Sequence, residues 1–123
     1  MKRLPSFDDH VEYAKPPIRE TLIYLRGQIK ALGRMGEKVT SRQRVAYEVE
    51  RDFCEVKVLK DEIQVRVFNM GVPDPKGIVT DIPGSHGWQY EKQIPINSKA
   101  LVDYAVPFIR ASYQSSRAKE PRR

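Results

Sequence analysis

Three runs of alternating apolar and polar residues, separated by very short connections, constrain the fold of this chain most. The runs are RVAYEVE, FCEVKVLK and EIQVRVF, and they lie between residues 44 and 68. Because successive side chains of a β-strand point to opposite faces, each run predicts a strand with one buried face and one wetter face. The connections near residues 51–52 and 60–62 are too short for a crossover, so antiparallel hairpins are expected.

Two further strands are predicted on either side of these runs. A weaker pattern, EKVTS, precedes them, and a last strand, WQYEKQIPI, follows a long loop. Lys92 interrupts the apolar positions of this last strand, between Tyr90 and Ile94. Either the strand lies at an edge and the lysine extends its ammonium group to water, or the register is shifted.

Two helices are predicted at the two ends of the strand region. Before the strands, apolar residues recur at spacings of three and four, which indicates one buried helical stripe. Pro16 and Pro17 are suited to the first turn of this helix, and Gly33 to its end. After the strands, Ser98 is the expected N-cap of a second helix, and Pro107 predicts a kink within it. The buried residues are Ile18, Leu22, Leu25, Ile29 and Leu32 in the first helix, and Leu101, Val102, Ala105, Ile109 and Tyr113 in the second.

The predicted order α-β-β-β-β-β-α indicates the α+β class. We expect a two-layer domain at residues 14–113, with both helices on one face of an antiparallel sheet. Residues 1–13 show no clear pattern. Residues 114–123 are expected to form a basic flexible tail.

Composition narrows the class of protein further. The chain has 123 residues, 40% of them hydrophobic and 31% charged, which suits one soluble domain. Its longest apolar run, AVPFI, is too short to span a bilayer, and the amino-terminal region lacks the apolar core of a secretory signal. We therefore predict a cytoplasmic, bacterial protein that does not bind a membrane. The net charge is +6, and the last ten residues hold four basic side chains and one acidic, so part of the basicity belongs to the predicted tail.

The loop from Asn69 to Gly87 is the most distinctive segment. It holds four of the seven glycines and three of the nine prolines. Loops of this length inside a compact domain are usually functional or disordered. The alternative is structural, with the loop wrapping the open end of the sheet and Trp88 filling the core.

Catalytic chemistry finds little support in the sequence. Asp81, Ser85 and His86 could act as acid, nucleophile and base, yet the segment has neither a nucleophile elbow nor a glycine-rich oxyanion signature. His86 and the nearby carboxylates also lack metal-ligand spacing, and a single cysteine forms no internal disulfide. We therefore expect no metal or cofactor, and a hydrolase centred on Asp81 and His86 is the weakest of three alternatives.

Several segments together resemble a bacterial domain family of unknown function. They are LRGQIKALG, RQRVAYEVERDF, LKDEIQVRV, DPKG, GSHGWQYEKQI and LVDYAVPFIRASY. Members of that family occur alone or at the carboxyl end of chains labelled "predicted transport protein", whose front half resembles a PD-(D/E)XK nuclease. The resemblance covers residues 14–113 and implies an α+β fold with a link to nucleic-acid processing or defence. Positions that match its pattern are Arg42, Lys60, Asp74, Pro75, Lys76, His86, Trp88, Tyr90 and Tyr113, whereas Lys92 stands where the family is apolar.

A binding function has the best support from the sequence. Basic and aromatic side chains come from strand ends and the long loop, and in a small antiparallel sheet they could converge on one rim. Cations beside an exposed aromatic ring suit a phosphate backbone with a stacked base. We therefore predict a non-catalytic domain that binds nucleic acid or another polyanion, and the alternative is an accessory module for a nuclease-like protein. The candidate ligand-binding residues are Arg42, Lys60, Asp74, Lys76, His86, Trp88 and Tyr90, and Arg44 lies near them in the sequence.

Overall fold

The α+β prediction is confirmed in a computed structural model, which describes residues 6–39, 44–49, 51–82 and 90–118. The described elements, in chain order, are α1 (Phe7–Tyr13), α2 (Pro16–Lys30), β1 (Gly36–Val39), β2 (Arg44–Glu48), β3 (Asp52–Val58), β4 (Ile63–Val67), β5 (Thr80–Asp81), β6 (Lys92–Ile96) and α3 (Lys99–Ala118). Among these helices, none has the length and apolar character needed to cross a membrane.

The sheet has the strand order β1-β2-β3-β4-β6-β5, and every described neighbouring pair is antiparallel. A buried row runs across it, in which Val45 pairs with Val56, Val56 with Val65, and Val65 with Ile94. These residues belong to one core cluster with side chains of α2 and α3. The sheet is therefore apolar on the face that the helices cover, as the alternating runs predict.

Helix α2 buries the predicted stripe. Four of the five stripe residues are buried and Leu32 packs partly against the core. The prolines occupy the first turn, where a missing amide hydrogen costs nothing. Gly33, which follows the helix, has φ +151°, and a Cβ atom there would lie 2.3 Å from the Tyr113 hydroxyl oxygen. The end of α2 therefore depends on a close approach to α3.

Helix α3 confirms the predicted N-cap and most of the predicted buried face. The Ser98 hydroxyl accepts a hydrogen bond from the Leu101 amide at 3.3 Å. Val102, Ala105, Ile109 and Tyr113 are buried, whereas Leu101 is only partly so. The helix continues to Ala118, which shows that the segment predicted as a tail from residue 114 begins as helix.

Helix α1 lies in the segment that showed no sequence pattern. Ser6 and Asp9 form a capping box, in which the Ser6 amide donates to the Asp9 carboxylate at 2.8 Å and the Asp9 amide donates to the Ser6 hydroxyl at 3.3 Å. Phe7 and Val11 pack against the core and His10 is buried. The helix has only seven residues, so its apolar pattern is too short to be recognised.

Lys92 keeps the register expected from its neighbours. It pairs with Val67 while Ile94 pairs with Val65, so the lysine lies on the apolar face and no shift occurs. Its ammonium group forms an ion pair with Asp81 of β5, and the Lys92 side chain remains 29% exposed. The two-residue strand β5, which the sequence did not predict, thus covers the first half of β6 and supplies the charge partner.

A charged network fixes the edge strand β1 to α2. The Arg26 guanidinium makes two hydrogen bonds of 2.8 Å to the Glu37 carboxylate, and the Tyr47 hydroxyl donates to the same carboxylate at 2.7 Å. Burial opposes ionisation of Glu37, but the bonds from Arg26 and Tyr47 outweigh it and lower the pKa of Glu37. The buried Tyr47 hydroxyl is thereby satisfied.

Substitution of Gly33 by alanine and substitution of Gly27 by alanine should have opposite effects on the free energy of unfolding. Gly33→Ala is expected to destabilise the protein by about 2 kcal/mol, because Tyr113 is buried and bonded to the Arg34 carbonyl and cannot move aside. Gly27→Ala, in α2 with nothing near its Cβ position, should stabilise by roughly 0.5–1 kcal/mol through helix propensity. Urea unfolding measures both, and equal effects would contradict the packing assigned to Gly33.

Candidate functional site

The sheet face that points away from the helices is polar. In the row beside the buried one, Ala46 pairs with Glu55, Glu55 with Arg66, and Arg66 with Gln93. All three described helices contribute side chains to the core on the other face. We call the polar side the open face, and define it by Arg44, Glu55, Arg66 and Gln93.

A cleft of about 450 Å³ lies on the open face. Its volume falls within the range of pockets that hold small ligands. Three arginines, two carboxylates and two aromatic rings contribute to its wall. The lining residues are Arg44, Arg51, Asp52, Glu55, Arg66, Phe68, Ile82 and Tyr90.

The cationic and aromatic groups of the cleft are held in contact with one another. The Arg51 guanidinium lies 4.6 Å from the centroid of the Phe68 ring, and the Phe68 and Tyr90 centroids are 5.2 Å apart. Arg66 donates from Nε to the Gln93 side chain at 2.9 Å and lies 3.4 Å from the Glu55 carboxylate. Arginine side chains fixed in this way lose less conformational entropy when they bind an anion.

The Tyr90 hydroxyl is buried and has no hydrogen-bond partner among the described residues. Burial is the main cause that raises the pKa of Tyr90, and the electrostatic influence of Cys54, Asp52 and Glu55 adds to it. Tyr90 is therefore a neutral hydrogen-bond donor at physiological pH. A buried donor without an acceptor is unusual in a native structure.

The predicted site residues do not form a single rim among the described parts of the chain. Tyr90 lies in the cleft, just before the β6 residue that pairs with Val67. Lys60 lies in the hairpin after Val58, at the opposite end of the strands. Asp74 and Lys76 contact Tyr104 of α3. Three predicted residues, Arg42, His86 and Trp88, lie outside the described residues, as does Ser85.

Asp74 organises the first part of the long loop. Its carboxylate accepts hydrogen bonds from the Ile78 amide at 3.3 Å, from the Val79 amide at 2.9 Å and from the Tyr104 hydroxyl. The Tyr104 bond is the main cause that lowers the pKa of Asp74, and the backbone amides reinforce it against the effect of burial. The loop is thus fixed to α3 by a carboxylate that stays ionised.

Lys76 and Gly77 complete the turn begun by Asp74. The Gly77 amide donates to the Asp74 carbonyl at 3.0 Å, and Gly77 has the positive φ of +66° that such a turn favours. The Lys76 amide donates to the Tyr104 hydroxyl at 3.0 Å, and its ammonium group lies 5.6 Å from the centroid of the Tyr104 ring. These contacts give the DPKG segment a structural role on the helix side.

Lys60 has a structural contact as well. Its carbonyl accepts a hydrogen bond from the Lys15 amide at 3.0 Å, and its ammonium group lies 5.8 Å from the centroid of the Tyr13 ring. The hairpin between β3 and β4 is therefore joined to the junction of α1 and α2. Lys60 is not among the residues that line the cleft.

The hydrolase alternative gains no support from the described residues. The Asp81 carboxylate forms an ion pair with Lys92. His86, the base of that hypothesis, lies outside the described residues, so the hypothesis stays a prediction. Within the described ranges, no three His, Cys, Asp or Glu side chains cluster as a metal site would require.

Arg51, Arg66 and Phe68 are among the cleft residues that the sequence reasoning missed. Arg66 occupies a polar position of the run EIQVRVF, so alternation alone places it on the open face. Basic residues at polar positions of neighbouring runs are expected on the same face of the sheet, and Arg44 and Arg66 meet this condition. The contact between Arg51 and Phe68 joins residues from two different connections, and no local pattern indicates it.

A scan against family models, a search of curated proteins and a search of solved structures each find no match for this chain. The resemblance to the nuclease-associated family therefore stays a prediction.

Asp74→Ala should release the loop without unfolding the domain. Because the carboxylate fixes the amides of Ile78 and Val79, their hydrogen exchange should accelerate by roughly tenfold or more, as expected for the loss of charge-assisted bonds. Asp61→Ala, which removes an exposed carboxylate paired with Lys15, is the matched control and should leave both amides unchanged.

The same exchange experiment has a defined pH dependence. A lowered folded-state pKa means that Asp74 contributes fully above its unfolded pKa of about 3.9 and loses its contribution as the pH falls through the lower folded value. The difference between Asp74→Ala and the unmodified protein should therefore persist at pH 5. Equal exchange rates at pH 5 would contradict the anchoring role.

Proposed function

We propose that this chain is a non-catalytic domain that binds single-stranded nucleic acid on the open face of its sheet. The observation that supports this most is the cleft in which Arg44, Arg51 and Arg66 surround the Phe68 and Tyr90 rings. Guanidinium groups bind phosphate, and aromatic rings or guanidinium planes stack with bases that are not paired in a duplex. The open face combines both kinds of group in one concave surface.

The charges of the cleft favour an anionic ligand. Its wall holds three arginines against two carboxylates, and the chain as a whole carries a net charge of +6. Glu55 lies 3.4 Å from Arg66, while Asp52 is paired with Lys38 on the neighbouring part of the sheet. The acidic groups are therefore partly neutralised by cations, and the Arg44 and Arg51 side chains are exposed.

The size of the cleft favours a single strand over a duplex. A volume of about 450 Å³ accommodates a ligand of small-molecule size, such as one nucleotide unit. A single strand can turn one unstacked nucleotide into such a cleft, whereas duplex bases remain paired and stacked. We therefore propose contact with one or two nucleotides in the cleft and with phosphates along its edge.

The accessory-module alternative has weaker support. Ile23 and Met70 are large apolar side chains that are 55% and 43% exposed. Single exposed apolar residues are common on monomeric proteins, and only contiguous patches indicate a protein partner. These two residues lie on α2 and in the long loop, so they provide a less specific argument than the cleft.

Removing two arginines from the cleft should weaken nucleic-acid binding more than removing two arginines elsewhere. The test compares Arg44→Ala/Arg51→Ala with the charge-matched control Arg34→Ala/Arg110→Ala, whose arginines are also exposed. Fluorescence anisotropy with a labelled 12-nucleotide DNA strand measures affinity at several salt concentrations. The cleft variant should bind at least tenfold more weakly, and the control should change by less than about threefold.

The salt dependence provides a second reading of the same titration. Each phosphate contact in a single strand contributes about 0.7 to the slope of log affinity against log salt. Loss of two contacts should therefore reduce the slope by about 1.4 in the cleft variant. Equal loss of affinity in both variants would show that binding follows overall charge, and absence of binding by the unmodified chain at low salt would overturn the proposed function.

A further inference from the structure

We propose that the buried hydroxyl of Tyr90 holds a phosphate group of the bound strand at the inner end of the cleft. This inference rests on the proposed function and assigns a role to one atom of the cleft wall. Tyr90 lines the cleft, and its hydroxyl is buried with no hydrogen-bond partner among the described residues. None of the described residues supplies the acceptor that this donor needs.

A buried hydroxyl that has no partner among the described residues is expected to make the unliganded domain less stable than a phenylalanine ring would. A buried donor loses its bonds to water on folding and regains nothing if no acceptor is present. Phenylalanine would fill the same space without this loss. We therefore infer that the tyrosine hydroxyl donates a hydrogen bond to an acceptor on a bound ligand.

The acidic side chains near Tyr90 are already engaged with cations. Glu55 lies 3.4 Å from Arg66, and Asp52 lies 3.2 Å from the Lys38 ammonium group. A bound ligand can supply the acceptor that these two carboxylates do not supply. Phosphate oxygens are strong acceptors, and the arginines of the same cleft compensate their charge.

The Tyr90 hydroxyl can become accessible to a ligand if the aromatic side chains of the cleft wall change conformation. Tyr90 pairs with Phe68 at a ring tilt of 39°, and Phe68 in turn lies under the exposed Arg51 side chain. A change of side-chain conformation, which is common at binding sites while the backbone stays in place, exposes the hydroxyl. Tyrosine has two rotatable side-chain angles, so the entropy lost in fixing it is small. We infer that Arg51 moves from the Phe68 ring toward the phosphate as Tyr90 turns.

The variant Tyr90→Phe tests whether the Tyr90 hydroxyl binds the ligand or stabilises the fold. The variant removes one oxygen atom and keeps the ring contact with Phe68. In the anisotropy assay with the 12-nucleotide DNA strand, we expect affinity to fall about tenfold, or roughly 1.4 kcal/mol. The thermal unfolding midpoint of the ligand-free variant should not be lower than that of the unmodified chain, because the hydroxyl has no hydrogen-bond partner among the described residues.

The matched control is Tyr24→Phe. The Tyr24 hydroxyl donates to Asp103 at 2.6 Å on the helix side of the molecule, so its removal should leave the affinity for DNA unchanged. Comparable loss of affinity in both variants would overturn the assignment to Tyr90.

The remaining outcomes distinguish this inference from the proposed function. If Tyr90→Phe binds as tightly as the unmodified chain while the double arginine variant binds weakly, the inference is wrong and the proposed function stands. A lower unfolding midpoint for Tyr90→Phe would show that the hydroxyl has a partner within the protein, which also overturns the inference. If the unmodified chain does not bind DNA, both fail together.

Discussion

The one-sided burial of the sheet is the constraint on which the rest of the structure depends. A row of β-branched side chains, from Val45 through Val56 and Val65 to Ile94, packs under the helices. Because strand side chains alternate, this packing assigns every intervening residue to the opposite face. Arg44, Glu55 and Arg66 are on the open face for that reason. The packing of the sheet against the helices therefore both stabilises the domain and places the polar side chains of the cleft on the opposite face.

The first part of the long loop is fixed to the helix layer by hydrogen bonds, and not by apolar packing alone. Asp74 joins the Ile78 and Val79 amides to Tyr104 of α3, and β5 then pairs with the first half of β6. Ile82 and Tyr90 both line the cleft. The ligand-binding role predicted for Asp74 and Lys76 stays untested, but their contacts explain these residues as supports of the loop.

The sequence predicts the fold well where a pattern is long and repetitive. The α2 stripe and the three alternating runs depend on neighbouring residues, so local spacing is sufficient. Local spacing does not predict α1, because its seven residues depend on a capping box and two apolar contacts. It does not predict β5 either, because β5 forms only through its pairing with β6. The cleft is only partly predictable for the same reason. Tyr90 was identified from the sequence, whereas the contact of Arg51 with Phe68 requires knowledge of the tertiary structure.

Mapping a bound DNA strand by amide chemical shifts would test the central claim most directly. We expect a 12-nucleotide single strand to perturb amides of β3, β4 and the segment from Tyr90 to Gln93, which border the open face. Amides along α2 and in the Asp74–Gly77 turn should remain unchanged. Perturbations confined to the helix layer or to that turn, with none around the cleft, would contradict the assignment of binding to the open face.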